Sequence, residues 1–211
     1  MSPVCQFGNE CCQTCAVGTL TLLPWEHTHH STPQRAPKPK TFDQRYDVVV
    51  VGGGAAGLSA GVALARARRS VLVIDAGAPR NAPADHNHVH NYLGREGVPP
   101  GELLALGRAE VAAYGGQVVS GRVTSAQPVP GGGFRTQLAD GRTVTSRRLL
   151  VTTGLVDELP DVPGVAERWG RDVLHCPYCH GWEMRDQALG ILATNAMAST
   201  KPCCFGSGAL T

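Results

Sequence analysis

The chain has 211 residues, a formal net charge of +2, 17% charged residues and 42% hydrophobic residues, a composition typical of globular proteins. No basic stripe indicates nucleic-acid binding, and no apolar run approaches the roughly 20 residues that a membrane helix needs. No basic residue precedes the short apolar stretch 16–25, so we expect no secretory signal and a cytoplasmic protein.

Residues 1–44 lack a sustained hydrophobic period, and we interpret them as a flexible extension. They contain Cys12 and Cys15 in a C-x-x-C pair with a histidine tract nearby, so zinc binding is an alternative. We favour a disordered leader, because the tract lacks the fixed H-x₃₋₅-H spacing of a zinc finger. The 8 cysteines cluster near residues 5–15, 176–179 and 203–204, which indicates one local redox or metal pair rather than a disulfide framework.

The stretch 46–75 reads YDVVVVGGGAAGLSAGVALARARRSVLVID. Its valine run is typical of a buried parallel strand, and a helical pattern follows Gly52, Gly54 and Gly57, which have G-x-G-x-x-G spacing. Such glycines permit a tight turn, close approach to a pyrophosphate and close helix packing, while the helix N-terminus attracts phosphate. Asp75, 23 residues after Gly52, can accept hydrogen bonds from a ribose diol. The pattern predicts a dinucleotide site that favours FAD or NAD over a 2′-phosphate.

A turn with the sequence AGAPRN follows at residues 76–81. Arg80 and Asn81 can reach a phosphate or ribose there, although a solvated turn explains them equally well. Three histidines then alternate along the chain: His86, His88 and His90. Because no cysteine or carboxylate array accompanies them, we interpret this segment as a loop against the flavin rather than a metal site. Asn91 and Tyr92 are then candidate ring or ribose contacts.

The next segment predicts a helix at residues 102–114, followed by short strands at 117–124, 134–138 and 142–145. We interpret these strands as a β-meander inserted beside the main sheet. A buried strand at 149–153 ends in small residues, which suit close approach to a cofactor. The candidate cofactor contacts in this region are Val123, Thr153 and Gly154. Residues 157–164 contain two prolines and are interpreted as an interdomain hinge.

The second chemical signal is the sequence HCPYCHGWE at residues 175–183. Cys176 and Cys179 are spaced to close a small disulfide at the first turn of a helix, where the dipole favours thiolate. His175 and His180 flank the pair, and either can shuttle the proton that moves when thiol becomes thiolate. A structural zinc site is the alternative, but these ligands lie too close in sequence for the usual two-loop geometry.

Together, YDVVVVGGGAAGLSA, IDAGAPRN, TTG and HCPYCHGWE resemble the low-molecular-weight, thioredoxin reductase-like pyridine nucleotide–disulfide oxidoreductases. The resemblance covers residues 45 to about 192. It implies an α/β fold with a Rossmann-like, FAD-binding parallel sheet and an inserted β-meander. The start of a second, NADPH-binding domain that carries the C-x-x-C would follow. The predicted divisions are 1–44, 45–157 and 158–211, and family members of this type resemble homodimers.

The resemblance implies that NADPH reduces FAD and that the flavin reduces the disulfide. It makes Cys179 the flavin-side partner and Cys176 the thiol that attacks a thioredoxin-like protein or a small disulfide. His180 also resembles a residue of small-molecule dithiol oxidases, which pass electrons to oxygen, and the sequence leaves both directions open. The candidate catalytic residues are Cys176, Cys179 and His180. The candidate cofactor-binding residues are Gly52, Gly54, Ala55, Ala56, Gly57, Asp75, Arg80, Asn81, Asn91, Val123, Thr153 and Gly154, and no metal ligand is predicted.

The chain departs from the family pattern after residues 190–192, where a second glycine-rich turn would hold NADPH. Residues 193–198 read ATNAMA and contain no glycine, so we expect a truncated or frame-shifted product. A non-catalytic FAD-binding fragment is therefore a second hypothesis, and a metal-binding module that uses the cysteine pairs is a third.

Overall fold

A computed structural model describes residues 44–80 and 88–194, and the elements below belong to these ranges. The strands are β1 Tyr46–Val51, β2 Val71–Asp75, β3 Gln117–Ser120, β4 Val123–Pro128, β5 Phe134–Leu138 and β6 Thr143–Val151. The helices are α1 Ala55–Arg66, α2 Pro100–Ala113, α3 Val165–Arg168 and α4 Pro177–His180. The strands form a six-stranded sheet in the order β3-β2-β1-β6-β5-β4.

The parallel part of the sheet is the most deeply buried part of the fold. β1 pairs in parallel with β2 and β6, and β2 pairs in parallel with β3. Val49 and Val50 of β1 and Leu72 and Val73 of β2 each have 0% exposure. Because apolar runs of this kind cover both faces of a parallel sheet, they drive burial of the central strands. The predicted strand–helix–strand unit and the α/β fold class are confirmed.

The predicted strand at residues 117–124 is wrong, because these residues form two strands at opposite edges of the sheet. β3 pairs in parallel with β2, whereas β4 pairs antiparallel with β5. β3 ends just before Gly121, whose N–H donates to the Asp75 carbonyl at 2.9 Å. A Cβ at Gly121 would lie 2.6 Å from Leu138 Cδ2, so this crossing point has no room for a side chain.

The antiparallel strands extend the main sheet rather than forming a separate unit beside it. The predicted strands at 142–145 and 149–153 are one continuous strand, β6, which joins β5 on one side and β1 on the other. Arg147 and Arg148 lie inside this strand with exposed side chains. The two predicted strands left these arginines between them, but the exposure of both side chains lets them remain within one strand.

Helix α2 packs against α1 on one face of the sheet. The predicted helix is confirmed, although it begins two residues early, at Pro100, where the missing N–H costs no hydrogen bond. A Cβ at Gly61 of α1 would lie 2.9 Å from Val111 Cγ2, so the absence of a side chain there permits close helix packing. Among the described residues, none of the helices is long and apolar enough to cross a membrane.

Candidate dinucleotide and dithiol site

The turn between β1 and α1 is tightly packed against the protein at Gly52 and Gly57. Gly52 has a φ of +112°, and a Cβ there would lie 2.3 Å from the Thr152 carbonyl oxygen. A Cβ at Gly57 would lie 1.9 Å from the Gly52 carbonyl oxygen, which brings α1 close to β1. By contrast, a Cβ at Gly54 would meet nothing within 4 Å. The turn is therefore closed toward the protein and open on the side of Gly54.

The open side of the turn coincides with the N-terminus of α1. Gly54 is the N-cap residue, no side chain caps the helix, and its first turn has no acidic residue. Ala55 and Ala56 follow with exposed side chains. Helix N-terminal N–H groups and the positive end of the dipole favour an anion such as a pyrophosphate. The residues present fit the diphosphate of a dinucleotide.

Gly53 is a functional position that the motif analysis missed. A Cβ at Gly53 would lie 2.5 Å from both Cβ and Cγ of Asp75. The glycine is buried, and it lets the Asp75 side chain lie directly against the turn. The signal was present in the sequence. Gly53 lies between Gly52 and Gly54, and the motif allows any residue at its position.

Asp75 lies at the carboxyl end of β2 and is held as a carboxylate. Arg108 Nη2 donates to Oδ2 at 2.6 Å, and the Gly77 N–H donates to Oδ1 at 3.1 Å. Partial burial raises the pKa of Asp75, but the hydrogen bonds from Arg108, Gly77 and Gly53 outweigh burial and lower the pKa. A charged acceptor at this position fits a ribose diol. No motif points to Arg108, which lies 33 residues further along the chain, on α2.

A double-mutant cycle of Arg108→Met and Asp75→Asn should give a coupling of about 0.5–1 kcal/mol near neutral pH, because the pair is partly exposed. Since the folded-state pKa of Asp75 lies below its ordinary value of 3.8, the stability contributed by the ion pair is fully present above pH 3.8. It should disappear as the pH falls through the lowered folded-state value. Urea denaturation of the four proteins between neutral pH and about pH 3 measures the coupling. A coupling that does not change with pH would contradict the ion pair.

Arg80 joins the turn after β2 to the segment after β6. Its Nε donates to Asp157 Oδ2 at 2.7 Å, and its Nη2 forms a second hydrogen bond to Oδ1. The hydrogen bonds from Arg80 are the largest cause of the lowered pKa of Asp157. The guanidinium charge also opposes the rise in the pKa of Cys179, which burial and Cys176 outweigh. Asn81, which was predicted beside Arg80, lies outside the described residues.

The remaining candidate cofactor contacts lie on two different strands. Thr153 and Gly154 follow β6 and are exposed, and Gly154 has a φ of +67°. The preceding Thr152 donates from Oγ1 to the carbonyls of Val51 and Gly52 at 3.0 Å each. Val123 begins β4, and its partly buried side chain packs against the hydrophobic core. The ends of β1 and β6 therefore meet at the glycine turn, while the Val123 side chain belongs to the core.

The C-x-x-C segment begins α4, as the sequence predicts. Cys176 is the N-cap residue, and its carbonyl accepts from the N–H groups of Cys179 and His180 at 3.3 Å each. Partial desolvation of the Cys179 thiol, its hydrogen bond to Cys176 and the charge of Cys176 raise the pKa of Cys179 to about 11. Cys179 therefore keeps its proton near neutral pH and donates it toward Cys176.

Limited alkylation of the reduced chain with iodoacetamide near neutral pH should label Cys179 at least about tenfold more slowly than Cys176, because its raised pKa keeps it protonated and the thiolate is the nucleophile. Peptide mapping by mass spectrometry distinguishes the two sites. Because the pKa of Cys179 is about 11, its labelling should rise about tenfold per pH unit through the alkaline range. Labelling under denaturing conditions is the control, and the preference should vanish there. Faster labelling of Cys179 in the folded chain would contradict the arrangement.

Two residues of a second loop, His90 and Glu96, lie near the segment that carries α4. His90 Nδ1 lies 2.6 Å from Glu96 Oε1, and His90 Nε2 lies 3.5 Å from Glu183 Oε1. Burial lowers the pKa of His180, Glu183 opposes that shift, and the charge of His90 adds to it. His180 is thus held neutral near neutral pH, with a ring nitrogen free of a proton.

The other predicted histidines have different surroundings. His175 stacks on Trp169 with ring centroids 5.5 Å apart. The rings of His88 and His90 are 6.3 Å apart, and His86 lies outside the described residues. Within the described ranges, no cluster of three or more histidine, cysteine, aspartate or glutamate side chains is arranged to hold a metal ion.

A glycine turn, an acidic strand end and a dithiol thus occur together in a chain that is similar to proteins of one known family. The model of the pyridine nucleotide-disulphide oxidoreductase family matches residues 46–193. The chain belongs to this family. It is 39% identical over 156 residues to a probable thioredoxin reductase of Arthroderma benhamiae, with 71% of this chain and 38% of that protein covered.

Solved structures of similar proteins support the same fold. The crystal structure of HlmI is 47% identical with a TM-score of 0.73, and the match covers 79% of this chain and 53% of that one. An oxidoreductase from Agrobacterium tumefaciens is 42% identical with a TM-score of 0.70, and the match covers 75% and 53%. This pyridine nucleotide-disulphide oxidoreductase chain therefore spans about half, or less, of the length of the proteins it matches.

The structure gathers the predicted site residues of this oxidoreductase into two groups. The first comprises the glycine turn, Asp75 and the end of β6, all at the carboxyl edge of the parallel strands. The second comprises Cys176, Cys179 and His180 on or beside α4. Arg80, on the turn after β2, forms its ion pair with Asp157 in the segment that leads from β6 toward α4.

Proposed function

We propose that this chain provides the FAD site and the redox-active dithiol of a flavin-dependent disulfide oxidoreductase. In this proposal electrons pass between NADPH, FAD, the Cys176/Cys179 pair and a thioredoxin-like protein or small disulfide. The observation that carries it is that the chain combines a glycine turn shaped for a diphosphate, with Asp75 against it, and a Cys176/Cys179 pair in a single helical turn. A structural cysteine pair would need no dinucleotide turn.

The glycine turn, the N-terminus of α1 and Asp75 would hold FAD, because they fit a diphosphate and a ribose diol. When bound, FAD supplies a two-electron acceptor and donor that can reduce the Cys176/Cys179 disulfide again after each turnover. The predicted contacts from Arg80, Asn81, Asn91, Val123, Thr153 and Gly154 remain part of the proposal.

The dithiol reduces a substrate disulfide in two exchange steps. The Cys176 thiolate attacks one substrate sulfur, which forms a mixed disulfide and releases the other substrate sulfur as a thiolate that takes up a proton. Neutral His180 then relays the Cys179 proton to the departing substrate sulfur as Cys179 attacks Cys176. This closes the Cys176/Cys179 disulfide and releases the second substrate thiol. The dithiol loses two electrons and the substrate disulfide gains them.

NADPH is proposed as the electron source from family membership alone. The sequence after Gly190 contains no second G-x-G-x-x-G, and residues 190–194 lie in no helix or strand. No described residue is therefore assigned to NADPH. A homodimer is proposed on the same basis, without interface residues.

The reverse direction is a second candidate, in which a small dithiol is oxidised and electrons pass to oxygen. The observation behind it is the position of His180 directly after Cys179, where it can accept a proton from an incoming dithiol. Oxygen consumption with a small dithiol would support the oxidase, whereas NADPH-driven reduction of thioredoxin would support the reductase.

Cys179→Ser is the test variant for both directions. We expect it to abolish turnover of the FAD-loaded chain and to leave FAD affinity unchanged, since Cys179 is assigned to electron transfer alone. Simultaneous loss of FAD binding would contradict that assignment. A wild-type chain that binds FAD and turns over neither substrate would instead support the non-catalytic fragment.

A further inference from the structure

The loop at residues 88–98 is organised by one carboxylate. Glu96 Oε2 accepts from the Asn91 N–H at 2.9 Å, while Glu96 Oε1 lies 2.6 Å from His90 Nδ1. Asn91 has a φ of +60°, a left-handed conformation that asparagine tolerates better than most residues. A bridge between Val89 and Val98 closes the loop at its base. Glu96 therefore fixes the backbone at Asn91 and, with it, the direction of the Asn91 side chain.

The Asn91 side chain reaches the dithiol segment. Its Nδ2 donates to the Tyr178 carbonyl at 2.6 Å, across 87 residues of sequence. Tyr178 lies between the two cysteines, in the single turn of α4. The carbonyls in the last turn of a helix lack partners within the helix, and one turn is unstable without tertiary contacts. The Asn91 carboxamide thus supplies a hydrogen bond that α4 cannot make for itself.

A second contact joins the same loop to the end of the dithiol segment. His90 Nε2 lies 3.5 Å from Glu183 Oε1, with side-chain exposures of 19% and 37%. The loop therefore contacts the segment both within α4 and just after it. These two contacts, one before Cys179 and one after it, restrict the movement of Cys179 relative to Cys176 more than a single contact would.

We propose that Asn91, held by Glu96, is a positioning residue that fixes α4 so that the Cys176 and Cys179 thiols stay close enough to form a disulfide. The inference rests on the proposed function only in taking these two cysteines as the redox pair. A fixed helix raises the effective concentration of one thiol at the other, which favours the disulfide. This role differs from the predicted contact of Asn91 with the flavin. Loss of the positioning role would change the disulfide equilibrium, whereas loss of a flavin contact would change FAD affinity.

The equilibrium constant for the Cys176/Cys179 disulfide against glutathione tests the proposal in the flavin-free full chain. Peptide-resolved alkylation separates this pair from the other cysteines. Asn91→Gly keeps the left-handed backbone and removes the carboxamide, so we expect the constant to fall about three- to tenfold. Glu96→Gln should lower it in the same direction, because the amide can accept only one of the two hydrogen bonds. Arg95→Ala is the matched control, since that side chain forms no hydrogen bond or ion pair with the described residues.

Hydrogen exchange of the amides at residues 178–184 provides the second readout. We expect faster exchange in Asn91→Gly and wild-type exchange in Arg95→Ala. Unchanged exchange and an unchanged constant in Asn91→Gly would overturn the proposal, and lower FAD affinity with both unchanged would make Asn91 a flavin contact instead. A wild-type chain that forms no such disulfide would contradict the proposed function, and the exchange rates alone would then decide whether Asn91 holds α4.

Discussion

Gly54→Asp should weaken FAD binding by at least about a hundredfold, because the new carboxylate would repel the diphosphate at close range. The fold should not suffer. Gly54 is the N-cap of α1 with φ −76° and ψ −175°, an extended conformation that aspartate adopts without strain. A Cβ there meets nothing within 4 Å, and aspartate is a better N-cap than glycine by a few tenths of a kcal/mol. We expect a melting temperature equal to or slightly above that of the wild type.

Gly54→Ser is the matched control, because serine caps the helix without adding a charge. Its FAD affinity should lie between those of the wild type and the aspartate variant. Quenching of FAD fluorescence measures binding, and scanning calorimetry measures the melting temperature. An aspartate variant that binds FAD as tightly as the wild type would show that the diphosphate does not lie at the N-terminus of α1.

Gly57→Ala should lower the free energy of unfolding by about 3 kcal/mol or more, which is a large part of the 5–15 kcal/mol of a typical domain. The new Cβ would lie 1.9 Å from the Gly52 carbonyl oxygen and 2.8 Å from Thr152 Oγ1. The first of these atoms is backbone, so α1 would have to move away from β1. The glycine turn would then lose its shape, and FAD binding should be lost with it.

Gly101→Ala is the control for Gly57→Ala. Gly101 lies in the first turn of α2, and a Cβ there meets nothing within 4 Å. Alanine is the better helix former, so this variant should be as stable as the wild type or more stable by up to about 1 kcal/mol. Urea denaturation compares the three proteins. Equal stability of Gly57→Ala and the wild type would contradict the close packing of α1 on β1.

The sequence predicts the β1-α1-β2 unit well because its signals are local. The valine run, the glycine spacing and Asp75 follow one another within 30 residues, and each restricts its neighbours. The split between β3 and β4 could not be predicted, because it depends on Gly121 meeting Leu138 across the sheet. The continuity of β6 through Arg147 and Arg148 could not be predicted either, because it is visible only in the pairing of β6 with β1.

In the candidate site, the sequence predicts residue types better than their partners. Asp75 and Arg80 were identified from motifs, but their ion pairs with Arg108 and Asp157 span 33 and 77 residues. The contact between Asn91 and Tyr178 spans 87 residues. No spacing rule links such positions, because the sheet and its loops bring them together only after folding.

The visible absorption spectrum of the FAD-loaded chain under anaerobic conditions tests most directly whether the flavin exchanges electrons with the Cys176/Cys179 pair. On addition of a small dithiol, we expect the flavin band of the wild-type chain to bleach rapidly. In Cys179→Ser, which should bind FAD equally well, the band should remain on the same timescale. Equal bleaching of both proteins, or bleaching of neither, would contradict electron transfer through this pair.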